Sequence, residues 1–195
     1  MAPSDPLLVI SLGNPGAEYA GTRHNVGAEV VEELARRCSD RLKADRKVSS
    51  SVAAVRIGDR RVQLAIPTTY MNDSGRSASQ LIRRHPLENW ADLIVVHDEL
   101  DLELGVVKVK SGGGLAGHNG LKSVAEHLGT RDFLRVRIGV GKPSNSSQKG
   151  ADWVLSRVSK NDRVELDIST VTAADAVASI ATEGVDVAMQ QYNAK

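Results

Sequence analysis

The sequence predicts an α/β protein: a three-layer α/β/α sandwich around a mixed central sheet. Three observations carry this expectation. Short apolar runs bounded by turn residues alternate with longer segments of helical spacing, the pattern of a sheet covered by helices. Two neighbouring runs meet across Gly58-Asp59, a hairpin signal that makes the sheet mixed rather than purely parallel. The length of 195 residues, 41% of them hydrophobic, suits a single domain spanning residues 1–195. Aromatic residues make up only 3%, so the core must be built mainly from Val, Leu, Ile and Ala.

In chain order, Leu7–Leu12 is a buried strand that runs into the turn Gly13-Asn14-Pro15-Gly16. Val26–Cys38 places Val26, Val30, Val31, Leu34, Ala35 and Cys38 on one helical face. Val48–Ile57 and Arg61–Ile66 are the hairpin strands, and Ser74–Arg84 is a helix with Asn72 or Asp73 as its candidate cap. Leu93–His97 is a buried strand, Val106–Lys110 a half-exposed one, and Gly120–Leu128 a helix. Phe133–Val140 alternates apolar and basic residues, which predicts a buried face and an opposite face carrying Arg135 and Arg137. Pro143–Gly150 is a polar loop, and Arg163–Gln191 is helical with a break near Gly184. In such sheets ligands bind where loops leave the strand ends. Asn14, His24, Met71, Asn72, Asp98 and Asn119 all fall at such exits.

Composition excludes several classes. A lone cysteine, Cys38, permits neither an internal disulfide nor a multi-cysteine metal site, and it sits on an apolar helix face. Leu7–Leu12 is too short for a signal peptide or a membrane span, so a cytoplasmic location with no membrane association is expected. Net charge is only +1, but residues 108–149 hold eight basic and two acidic side chains, a local +6 against −5 elsewhere. A concentrated basic segment suits a polyanionic ligand.

His24 can accept a proton near neutral pH, and Asp98 could fix its tautomer and stabilise the imidazolium. Read alone, each also has a structural explanation, His24 as a satisfied histidine and Asp98 as a cap. Asn14, Asn72 and Asn119 could serve as turn and capping residues or as amide donors to a carbonyl or oxyanion. Other chemistries fit less well. Gly112-Gly113-Gly114-Leu115-Ala116-Gly117 matches a dinucleotide fingerprint, but Asp132 precedes the next strand instead of ending it. No nucleophile elbow occurs. A metal site drawn from His24, His97, Asp98, Glu99 and His118 lacks ligand spacing, so no metal and no cofactor are expected.

Five segments, in order, carry a resemblance. They are Leu12–Gly16 continuing through Tyr19 to Thr22–Gly27, Pro67–Gly75, His97–Asp101, Gly117–Lys122 and Arg137–Gly141. In these the chain resembles the bacterial type of peptidyl-tRNA hydrolase, from about Leu7 to Gln191. The resemblance implies a monomer that hydrolyses the ester between a peptide, or an N-acylated amino acid, and the 3′-terminal ribose of tRNA. It implies His24 as the catalytic base and Asp98 as the residue that orients it. Asn14 and Asn72 position substrate, Tyr19 and Met71 belong to the substrate groove, and Asn119 binds peptide backbone and helps hold water. Lys110 and Arg137 grip the terminal phosphate region of tRNA, and Gly112–Gly117 is the mobile loop. Ser11, Leu115-Ala116 and Tyr70 depart from the family's usual residues without removing a proposed catalytic group. Two other classes remain open at this point: an RNA-binding protein without catalysis, and a nucleotide-dependent enzyme using the glycine-rich segment.

Overall fold

The computed structural model describes residues 6–194. Among them run β1 (Leu7–Ser11), α1 (Val26–Arg37), β2 (Lys43–Asp45), β3 (Ser50–Ile57), β4 (Arg60–Pro67), α2 (Ser74–Arg84), β5 (Leu93–Glu99), β6 (Val107–Ser111), α3 (Asn119–Leu128), β7 (Leu134–Gly139), α4 (Gly150–Val154), α5 (Lys160–Glu183) and α6 (Val185–Asn193). The sheet order is β2-β3-β4-β1-β5-β7-β6. The central pairs β4–β1, β1–β5 and β5–β7 are parallel, whereas β2–β3, β3–β4 and β6–β7 are antiparallel. The mixed sheet is the one the hairpin signal predicts.

Residues alternate between the faces of β1 and β5, so two apolar layers form. On one side Val9, Val96 and Ile138 pack against Val30 and Leu34 of α1, Val177 and Ile180 of α5, and Ala188 of α6. On the other, Leu8, Ile10 and Val95 pack against Ala78 and Leu81 of α2 and Leu121 and Val124 of α3. Both faces of the central strands are covered, which is why Leu7–Ile10 reads as a continuous apolar run. No helix among the described residues is long and apolar enough to cross a membrane.

Helix α1 sits unusually close to β5. A Cβ on Gly27 would lie 2.4 Å from the Val96 carbonyl oxygen, so only glycine allows the first turn of α1 to rest on the strand that carries Asp98. Gly184, with φ +96°, separates α5 from α6 where the sequence predicts the break.

The structure departs from expectation at several places. β2 is exposed and three residues long, too polar and short to show as a strand. Val48 belongs to a 3₁₀ turn, Arg46–Val48, and the strand begins at Ser50. α5 starts at Lys160, capped by the Ser159 hydroxyl, three residues before the predicted start. The half-buried turn of α4 follows the polar loop without a sequence signal. Most consequential, Arg135 does not share an open face with Arg137. It is only 1% exposed, because the glycine-rich segment that follows β6 folds over it and bonds its guanidinium.

Candidate active site

Asp98 lies inside β5, 2% exposed in its side chain, at the end of the sheet from which the β1–α1 connection departs. That connection makes a 3₁₀ turn, Arg23–Asn25, which delivers His24 to the carboxylate. His24 Nδ1 lies 2.8 Å from Asp98 Oδ2. The second carboxylate oxygen is also engaged: His118 Nε2 lies 2.8 Å from Asp98 Oδ1. Burial alone would raise this carboxyl's pKa, but the two imidazoles, His118 foremost, hold it well below the usual carboxylate range. An ionised Asp98 makes both facing ring nitrogens donors. His24 therefore turns Nε2, with its lone pair, toward the cleft.

The tautomer of His118 follows from its other nitrogen. His118 caps α3, and its Nδ1 accepts from the backbone N–H groups of Gly120 and Leu121 at 3.1 and 3.3 Å. The proton must then reside on Nε2. The same geometry bears on the metal reading. Ligand atoms of His24, Asp98 and His118 lie within 4.8 Å of one another, yet a metal on His118 Nε2 would move the ring proton to Nδ1, facing two N–H donors. The cluster fits a hydrogen-bonded network rather than a metal site.

Asn14 is held by three bonds. Its N–H donates to Asn25 Oδ1 at 2.9 Å, its carbonyl accepts from Asn25 Nδ2 at 2.8 Å, and its side-chain oxygen accepts from Met71 N–H at 2.8 Å. With Oδ1 occupied, the Asn14 NH₂ group is left to donate into the cleft. Asn72 is exposed in the 3₁₀ turn Met71–Asp73, and Asn119 is exposed as the first residue of α3. The backbone N–H groups of Met71, Gly120 and Leu121 are consumed by these local bonds and do not face the cleft as free donors. Neither Asn72 nor Asp73 caps α2 through its side chain, and the cap of α3 is His118, one residue before Asn119.

Asn14, His24, Met71, Asn72, Asp98 and Asn119 line one cleft of about 560 Å³, together with Tyr70, Leu100, Val154 and Leu155. Tyr19 lies outside that lining but packs edge-on against Tyr70, with ring centroids 6.4 Å apart. The far wall, formed by α4 and the residues after it, is tied to the His24 turn by Arg23. This buried guanidinium donates to Ser156 Oγ, the Arg157 carbonyl and Asp162 Oδ2, and lies 3.5 Å over the Trp153 ring.

Lys110 and Arg137 are outside the cleft lining, on the β6–β7 edge. Register puts Lys108, Lys110, Arg135 and Arg137 on the same sheet face. The basic segment is less free than its composition implies. Arg137 is bonded to Glu99 Oε2 at 3.2 Å and Lys142 to Asp101 at 2.9 Å, both acids supplied from outside residues 108–149. Cys38 is half-buried with its thiol pKa pushed up by burial, in line with a packing role.

Sequence reasoning missed three groups here. His118 enters it as a possible metal ligand and as part of a motif, and Asn25 and Arg23 only as parts of a motif, none of them with a role of its own. Their roles depend on contacts with residues far along the chain.

Fold and cleft together are those of a small α/β protein with an imidazole–carboxylate pair open to an amide-lined cleft, an arrangement suited to hydrolysis. The comparisons narrow this. The family model described as Peptidyl-tRNA hydrolase matches residues 8–195. A peptidyl-tRNA hydrolase from Mycobacterium sp. (strain KMS) is 46% identical over 191 residues, covering 98% of each chain. One from Cutibacterium acnes is 44% identical over 205 residues, covering 99% of this chain and all of the relative. The crystal structure of peptidyl-tRNA hydrolase from Acinetobacter baumannii superposes with a TM-score of 0.89 at 36% identity, covering 98% of this chain and 96% of that one. The chain belongs to the peptidyl-tRNA hydrolase family.

Proposed function

We propose that this chain, acting as a single-domain monomer in the cytoplasm, hydrolyses the ester joining a peptide to the 3′-terminal ribose of tRNA. Free tRNA is thereby returned to use. One observation supports this reading most directly: an imidazole, oriented through Nδ1 by an ionised carboxylate, presents Nε2 to a cleft lined by three asparagines.

His24 Nε2 takes a proton from a water molecule aimed at the ester carbonyl, and Asp98 stabilises the resulting imidazolium. Asn14 and Asn119 donate to the tetrahedral oxyanion, and the ribose 3′-oxygen leaves with a proton. An ester to a ribose hydroxyl has a better leaving group than an amide, so water is a sufficient nucleophile. General-base action of this kind contributes about 10²–10⁴-fold, and each oxyanion donor about 10²–10³-fold. Asn72 and Asn119 contact the peptide backbone, favouring an acylated amino group. Met71 and Tyr70, the latter backed by Tyr19, line the peptide side. Lys110 and Arg137 meet phosphate at the end of the acceptor stem, contacts that fix position without reading sequence. No metal or other cofactor takes part.

The test is release of tRNA from N-acetyl-aminoacyl-tRNA in the presence of a chelator. Wild type should turn over, and His24→Ala should lose at least 10²-fold in kcat with an unchanged circular dichroism spectrum. Near-normal turnover by His24→Ala would remove the imidazole from the mechanism.

A further inference from the structure

We propose that Arg135 is a positioning residue: by clamping the first half of the glycine-rich segment, it holds Lys110 in place for the tRNA phosphate. The inference rests on the functional reading above for the identity of the phosphate.

Arg135 is among the largest fully buried side chains of the protein, and no carboxylate pairs with it among the described residues. Its two terminal nitrogens bond instead to main-chain carbonyls, those of Gly113, at 3.0 Å, and Gly114 from the glycine-rich segment and that of Arg131, at 3.2 Å, while Nε has no partner among the described residues. Its flat face lies 5.0 Å from the centroid of the Phe133 ring. Burial, with Arg137 and Arg131 nearby, works against the charge, which makes the oriented carbonyls necessary. A planar fork of donors can hold several carbonyls at once, and a lysine ammonium has no such geometry.

The clamped segment adopts backbone that costs conformational freedom. Gly112, Gly113, Ala116 and Gly117 all have positive φ. Its two halves are secured differently. Its C-terminal end leads into His118, bonded to Asp98 and to the start of α3. Its N-terminal half depends on Arg135 and on one backbone bond, Gly112 N–H to the Phe133 carbonyl. That half rests on Lys110: a Cβ on Gly113 would lie 2.6 Å from Lys110 Cε and 2.8 Å from Nζ. Freeing Gly113 and Gly114 therefore frees the lysine stem and leaves the catalytic cluster anchored.

The experiment compares Arg135→Met with wild type on two substrates, intact N-acetyl-aminoacyl-tRNA and the short ester N-acetyl-aminoacyl-adenosine. For the intact substrate KM should rise about tenfold with kcat within twofold, and for the short ester kcat/KM should stay within twofold. In a Lys110→Ala background, Arg135→Met should add less than twofold, because both act on one contact. The salt dependence of KM should flatten in both single variants. Should Arg135→Met fail to fold, Arg135→Lys takes its place, with the same pattern at smaller amplitude. Equal losses on both substrates, effects that multiply with Lys110→Ala, or unchanged kinetics would each overturn the assignment. If wild type hydrolyses neither substrate, the functional reading fails. Titration with deacylated tRNA then still tests the clamp, with about tenfold weaker binding by Arg135→Met supporting it and equal binding refuting it.

Discussion

Lowering the pH from 7 to 5 should cost this protein about 2 kcal/mol of stability through one residue, His97. The ring is 1% exposed, its Nδ1 donates to the Asp98 carbonyl at 2.7 Å, and its Nε2 has no partner among the described residues. Burial first, and the neighbouring His118 second, lower its pKa from 6.5 to about 3. Between those values the unfolded chain binds a proton that the folded chain refuses. The contribution is thus fully present above about pH 6.5 and falls as pH decreases, by about 1.4 kcal/mol per pH unit, levelling off below about pH 3. A pH of 5 lies about 1.5 units below the ring's unfolded pKa, which gives the 2 kcal/mol. The control is His97→Gln, which keeps an N–H donor but does not titrate. Urea unfolding of both proteins at pH 7, 6 and 5 isolates the effect in the difference between the two curves. Parallel pH dependences would show that the native ring takes up its proton as readily as the unfolded one, and the account of its burial would be wrong.

Other outcomes follow from the same geometry. Asp98→Asn leaves two imidazole N–H groups facing a side chain with one acceptor oxygen, so kcat should fall about 10³-fold; kinetics within tenfold of wild type would deny the carboxylate an orienting role. Asn25→Ala releases both main-chain groups of Asn14 and should lower kcat about 10²-fold, the value of one oxyanion donor, with little change in KM. A pure KM effect in that variant would reassign Asn14 to binding. Gly27→Ala drives a methyl into the Val96 carbonyl and should destabilise by about 1–3 kcal/mol, read from thermal or urea unfolding, while lowering kcat through the displaced His24 turn.

Much of this was legible in the residue order because the relevant signals are local. Apolar runs locate β1, β4 and β5, helical spacing locates α1 to α3, and Gly58-Asp59 reveals the hairpin. The polar residues at the strand ends, among them Asn14, His24, Asn72 and Asn119, do converge on one cleft. What stayed hidden depends on partners distant in sequence. Arg135 alternates with apolar neighbours as a solvent-facing residue would, and its burial comes from a segment about twenty residues earlier folding over it. His118 precedes a helix as a cap does, but its bond to Asp98 requires β5 and α3 to be brought together. The +6 of residues 108–149 overstates the free charge, since Glu99 and Asp101 pair with two of those cations from outside the segment.

The seat of α1 on β5 at Gly27 joins base and carboxylate into one rigid piece of the scaffold. Asn72 and Asn119 belong to other elements, so a displacement at that part of the rim would alter which acyl groups gain entry. It leaves the spacing between proton acceptor and counter-ion unchanged. Selectivity can therefore drift through substitutions around the rim while the proton-transfer step keeps its geometry.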